Sequence, residues 1–251
     1  MNKLFLSAVG LVAMSTSASA ADMAARPYTK AAPVMAAPYL YDWSGFYIGA
    51  NGGYGTERKC YDITTAAGTF IAAEGCHDAN GAVAGGQIGY RWQSAGWVFG
   101  LEAQGDWANL RGSNASLATG GLTTNRSRLD AFGLFTGQIG YSWNNALLYV
   151  KGGGAVTSNR YDTYFVPTGA LLGSSRDESR FGGTVGVGLE YGFTPNWSFA
   201  VEYDHLFIDS RNYLFTTPAG ATLGFDRIRG DVDLITARVN YRFGGPVVAR
   251  Y

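Results

Sequence analysis

Long apolar runs are what this chain of 251 residues most lacks. Past the N-terminus no run of eighteen apolar residues occurs, so helical membrane spans are not expected. Histidine is limited to His77 and His205, and cysteine to Cys60 and Cys76. Two cysteines with one neighbouring histidine make a poor zinc site, and no metal is expected. Net charge is also missing: 19 basic residues balance 19 acidic ones and lie scattered, which argues against a nucleic-acid partner. Glycine-rich pieces such as Gly52-Gly53 and Gly152-Gly153-Gly154 lack the Lys-Ser/Thr ending of a phosphate loop. No nucleophile, base and orienting group occur together at catalytic spacing, so neither an enzyme nor a cofactor is expected. A mean hydropathy of −0.03 suits a soluble protein, but that test is weak for a barrel, whose strands bury only alternate residues in lipid.

What is abundant is glycine, at 36 residues, and aromatic residues, at 14%. They fall into alternating stretches. The clearest organiser is the last, Gly230 to Phe243. Ile235, Ala237, Val239, Tyr241 and Phe243 share one face, and Thr236, Arg238, Asn240 and Arg242 share the other. Period two is a strand's period. One face suits oil and the other does not, and a sheet in lipid must close on itself. Seven further strands are predicted at Trp43–Thr56, Asn80–Gln93, Trp97–Leu110, Arg128–Trp143, Ala146–Arg160, Phe181–Phe193 and Trp197–Ser210. The third has Trp97 and Trp107 at the two ends of its apolar face, like the paired aromatic girdles of a membrane barrel. The connections alternate. Glu57–Ala79, Arg111–Ser127, Tyr161–Arg180 and Arg211–Arg229 read as long loops; Ser94–Gly96, Asn144–Asn145 and Thr194–Asn196 read as short turns. The expected fold is therefore all-β, an eight-stranded antiparallel transmembrane β-barrel of outer-membrane type, with long loops outside and both barrel ends on the periplasmic side. Lipocalin-like barrels and sandwiches would misplace the aromatic faces.

Around the barrel, residues 43–243, the chain divides further. Met1–Ala20 reads as a signal peptide, with Lys3, a short apolar core and Ala18-Ser19-Ala20 as cleavage site. Residues 21–42, with Pro27, Pro33 and Pro38, read as a flexible periplasmic lead-in. Residues 244–251 form a C-terminal tail. In an exported protein Cys60 and Cys76 are expected as a disulfide within the first long loop, contributing roughly 3 kcal/mol in the chain-entropy model.

The inward faces carry Arg91, Glu102, Asp106, Lys151, Glu190, Glu202, Asp204, Arg238 and Arg242. Acids and bases are nearly balanced, and an eight-stranded bore is just wide enough for side chains to fill. A salt-bridged polar plug is expected rather than an open conduit. Glu102, Glu202 and Asp204 are imaginable as a catalytic acid pair, but carboxylates at these positions are also what the arginines need.

Three stretches carry a family resemblance: Tyr41-Asp42-Trp43-Ser44-Gly45-Phe46-Tyr47-Ile48-Gly49, Gly186-Val187-Gly188-Leu189-Glu190-Tyr191, and Val239-Asn240-Tyr241-Arg242-Phe243. With them the chain resembles the alphaproteobacterial outer-membrane immunogenic proteins, small porin-like β-barrels. The resemblance implies a surface antigen of the cell outer membrane that supports envelope integrity. Alternatives are a narrow porin-like channel, or a module binding haemin or a host molecule through its long loops. The partners implied are outer-membrane lipid and lipopolysaccharide, and the barrel-assembly machinery during insertion.

Overall fold

A computed structural model of the chain describes residues 41–244, apart from the side chains of 176–178. The expected signal peptide, most of the lead-in and the tail beyond Gly244 lie outside the described residues. Eight strands follow in order: β1 Gly45–Thr64, β2 Phe70–Ser94, β3 Trp97–Ala115, β4 Thr123–Trp143, β5 Ala146–Phe165, β6 Ala170–Gly192, β7 Trp197–Thr216 and β8 Thr222–Arg242. They form one closed antiparallel barrel in sequence order. β8 returns to β1 along a continuous register from Tyr47 opposite Arg242 to Thr64 opposite Phe225. No edge is left to solvate, which is what lipid demands of a sheet.

Alternation sorts the side chains. On β8, Ile235 and Val239 are exposed on the outside while Thr236 and Arg238 are buried inside. Outward aromatics gather in touching pairs at the short-turn end: Trp97–Tyr141, Trp197–Tyr241 and Phe46–Phe243 have ring centroids 5.5, 5.1 and 5.7 Å apart. Rings of this kind sit at a bilayer interface. Tyr54, and Trp107 at 77% exposure, mark the other rim. On β1 the apolar stretch from Phe46 to Tyr54 matches the roughly 9–11 residues a tilted strand needs to span hydrocarbon. The tightest short turns place Ala95 and Asn144 at φ 53°, the left-handed conformation that two-residue hairpins require at their first position.

The four expected long loops are instead strand. Each strand runs on past the apolar band, to between 19 and 25 residues. The hairpins turn only at 65–69, 116–122, 166–169 and 217–221. Past the rim the polarity inverts. Tyr61, Tyr161, Tyr213, Phe215 and Ile228 now point inward and pack together. Arg58, Arg126 and Arg229 point out into water. Water outside and no lipid reverses the earlier arrangement, so the barrel becomes an ordinary soluble one. Register shifts at Trp107/Leu110, Leu129/Ala131 and Ile208/Arg211 lie near this change, and bulges of this type bend and twist a strand.

Two smaller expectations are also corrected. The first strand begins at Gly45 and not at Trp43, which is buried inside the mouth. Gly45 opens the strand at φ 121°, a conformation that favours glycine. Tyr41 and Asp42, assigned to a flexible lead-in, are packed. Tyr41 lies 4.4 Å from the Trp43 ring, and Asp42 Oδ1 accepts a hydrogen bond from the Ser44 amide at 2.9 Å.

Cys60 and Cys76 are disulfide-bonded, but not across a loop. They are directly opposed partners on β1 and β2. The bond therefore staples strands that are already hydrogen-bonded, and roughly 3 kcal/mol from loop entropy is an upper value. In a Cys60→Ser/Cys76→Ser variant, amide exchange should quicken across 61–75 and stay unchanged across 45–56. Equal acceleration in both segments, measured by mass spectrometry, would show the bond holding the whole barrel.

Candidate functional site

The interior is filled in layers, and the charged layer sits within the span. Its centre is Arg238 on β8. Nη2 lies 2.7 Å from Glu102 Oε1, and Nη1 donates to Glu202 Oε2. Lys151 on β5 lies 2.6 Å from Glu202, 3.2 Å from Asp204 and 3.6 Å from Glu102. Tyr47 and Tyr149 each donate a 2.6 Å hydrogen bond, to Glu102 and Glu202 respectively. Three carboxylates thus close on two cations and two phenols, drawn from β1, β3, β5, β7 and β8. Register decides this: inward positions at one height on different strands meet across a bore only side chains wide.

One layer toward the short turns, Arg91 pairs with Glu190 at 2.8 Å and stacks on Tyr47, its guanidinium 4.5 Å from the ring centre. Glu190 also accepts from Ser198 and from Asn240, the latter at 3.0 Å. Tyr41, Trp43, Val98, Leu147 and Tyr149 form a buried cluster at this end. The cavity between Trp43, Arg91 and Glu190 measures about 10 Å³, room for one water at most. On the other side of the charged layer lies an apolar stopper: Leu110, Leu129, Phe132, Leu134, Leu206 and Val232 are among its buried members.

Two of the nine inward charges stand apart from this network. Arg242 is four residues along β8 from Arg238, so it reaches the mouth and not the centre. There it donates to the backbone carbonyls of Ser44 at 3.1 Å and Pro195 at 2.8 Å, with Asp42 3.9 Å away. Asp106 accepts from Gln104 at 2.8 Å, and among the described residues it has no ion pair.

A second buried polar layer was missed because its residues fell in supposed loops. Glu57 and Lys59 are completely buried and 3.1 Å apart. Lys59 donates to Asn159 at 2.9 Å and lies over the Tyr161 ring. The signal was available: inward Gly55 is followed at intervals of two by Glu57, Lys59 and Tyr61. His77, weighed with the cysteines as a ligand, turns into the barrel and bonds Asn114 and Ser127, both at 2.8 Å. Burial pushes its pKa below the usual 6.5.

Near the far tips, Glu74 accepts from Ser116 at 2.8 Å and Asn125 at 2.7 Å. It shares a 260 Å³ pocket with Asp226. Burial, and then the charge of Glu74, push Asp226 up to about 7 from 3.8. A raised folded-state pKa means that protonation favours the closed tip. The contribution is full below 3.8 and is lost as pH rises through about 7. A carboxyl NMR titration should place the Asp226 midpoint near 7, and Glu74→Gln should lower it by removing the like charge. An unmoved midpoint in Glu74→Gln would show that the two groups do not interact.

Comparison with known proteins gives a consistent set of matches. A family model described as outer membrane protein beta-barrel domain matches residues 6–243. The 31 kDa outer-membrane immunogenic protein of Brucella melitensis is 27% identical over 217 residues, covering 84% of this chain and 89% of that one. The 22 kDa outer membrane protein of Rhizobium leguminosarum is 28% identical over 180 residues, covering 68% and 67%. Among solved structures, the outer membrane protein OprG of Pseudomonas aeruginosa aligns with a TM-score of 0.47 at 16% identity, over 83% of this chain and all of that one.

Proposed function

This chain belongs to the outer membrane protein beta-barrel domain family, and from that premise we propose that it is a closed structural and surface-antigen barrel supporting envelope integrity. It is an outer-membrane β-barrel of the immunogenic outer-membrane protein type. The observation that carries the reading is the bore itself. Arg238, Glu102, Glu202, Lys151 and Tyr47 tie five strands together across it, and an apolar stopper lies immediately beyond. Such a cross-section braces a wall and leaves no path for solute. The short turns face the periplasm, and the strand extensions stand outside as a stiff column. The segments expected as long loops are paired strand, and what the column presents is its hairpin ends at 65–69, 116–122, 166–169 and 217–221.

The cellular test separates bracing from transport. A strain lacking the protein should become sensitive to bile salts and to large hydrophobic antibiotics, while small-sugar uptake stays unchanged. Slower sugar uptake with an intact barrier would favour the narrow-porin reading instead.

A further inference from the structure

We propose that the outer wall of β3, β4 and β5 binds one phosphorylated glycolipid of the outer leaflet, phosphates on an arginine row and an acyl chain in a glycine furrow below. The inference rests on the reading that the strand extensions face outward from the cell.

The arginine row is set by register. Arg111 on β3 lies directly opposite Arg128 on β4, and Arg128 lies directly opposite Arg160 on β5. Arg126 joins them along a hollow of about 390 Å³. Like charges directly opposed on neighbouring strands destabilise a sheet, so Arg111 facing Arg128 calls for a counter-anion. Among the described residues Arg111 has no ion pair. Asp130 is 3.7 Å from Arg128, with both side chains 40% exposed, which makes a weak pair. Asp162 stands opposite Arg126. Arg160 has a partner of its own, so the argument stands on Arg111, Arg126 and Arg128. Arg126 also lies over Tyr164, 4.6 Å from the ring centre. Guanidinium groups bind phosphate through paired N–H donors.

The row lies just past Trp107, the exposed aromatic at the rim of the same wall. Headgroup phosphates sit at this height. Below it the wall has a shallow hollow of about 440 Å³ around Leu101, Phe135, Gly137 and Gly152. The glycines here are not required by the barrel. A Cβ at Gly105 or Gly154 would meet nothing within 4 Å, and one at Gly152 only a backbone oxygen at 3.5 Å. Strand glycines weaken a sheet, and these leave an apolar furrow open to lipid. At ~3.3 Å per residue, Gly152 lies roughly 26 Å along β5 from Arg160; a tilt near 40° makes this about 20 Å of depth. One saturated acyl chain covers most of that depth. A soluble anion would use the arginines alone. The furrow beneath them selects an anion that carries acyl chains.

The test uses the full barrel in nanodiscs of neutral phosphatidylcholine containing diphosphorylated lipid A, with retained lipid counted by native mass spectrometry. One lipid A should stay with the unmodified protein. Arg111→Gln/Arg128→Gln should lower retention at least tenfold. Gly152→Leu/Gly154→Leu should lower it with every arginine present, and dephosphorylated lipid A should not be retained. Circular dichroism and heat-shifted gel mobility show which variants are folded, and Arg128→Gln alone replaces the double variant if that one fails. Equal retention by unmodified and Gln variants would overturn the proposal. So would inorganic phosphate displacing the lipid at equal concentration, since that describes a free-anion site. Because nanodiscs contain no cell envelope, failure here leaves the bracing role untouched, and failure of the cellular test leaves this site untouched.

Discussion

Replacing Arg238 with alanine should destabilise the barrel by about 3–5 kcal/mol, the usual effect of removing one partner from a buried ionic cluster. Arg238 is 1% exposed and bonds both Glu102 and Glu202. Without it, three carboxylates face Lys151 alone. The neighbouring residue provides the control. Val239 is 40% exposed on the lipid side, and Val239→Ala should alter stability far less. Adding Glu102→Gln to Arg238→Ala should recover part of the loss, because the uncompensated charge is then gone; residues in one network do not add independently. Urea unfolding from lipid vesicles measures all three. Equal losses from Arg238→Ala and Val239→Ala would mean that the cluster does not bear on stability.

A larger effect is expected at Gly53. Its missing Cβ would lie 1.9 Å from the carbonyl oxygen of Ile235 and 2.8 Å from the Thr236 Cα. Both are backbone atoms of β8, at the seam where the barrel closes. A side chain there cannot be relieved by rotating a neighbour, so β1 and β8 must part. Gly53→Val should yield no compact, fast-migrating band on unheated gels and no protease-resistant core. Gly154→Ala, on the open outer wall, should fold normally and be neutral or slightly stabilising, as a β-carbon lowers unfolded-chain entropy. Normal folding of Gly53→Val would show that the seam is looser than its register implies.

The two glycines also show where sequence reading stops. Both lie in alternating, glycine-rich stretches, and only the register distinguishes a glycine against a backbone oxygen from one facing lipid. Inside the membrane span the chain is legible, because oil outside and charge inside give strong contrast along Trp97–Trp107 or Ile235–Arg242. That contrast assigned Arg91, Glu102, Lys151, Glu190, Glu202, Asp204 and Arg238 to the inward face, where the structure has them buried. Beyond the rim the contrast inverts. Tyr61 and Phe215 turn inward while Arg229, paired with Asp62, meets water, and a reading tuned to lipid sees only a polar loop. Glu57 and Lys59 were lost with it. The expected start of the first strand at Trp43 is two residues early, because nothing in the sequence marks the positive φ of Gly45.

The central claim is that the bore is shut by its own side chains, and single-channel recording in planar bilayers tests it most directly. The unmodified monomer should give no steady current, while Arg238→Ala, folded in the same lipid, should admit water at the emptied position and show at most weak, flickering conductance. Steady nanosiemens-scale current from the unmodified monomer would contradict the account and make the barrel a pore.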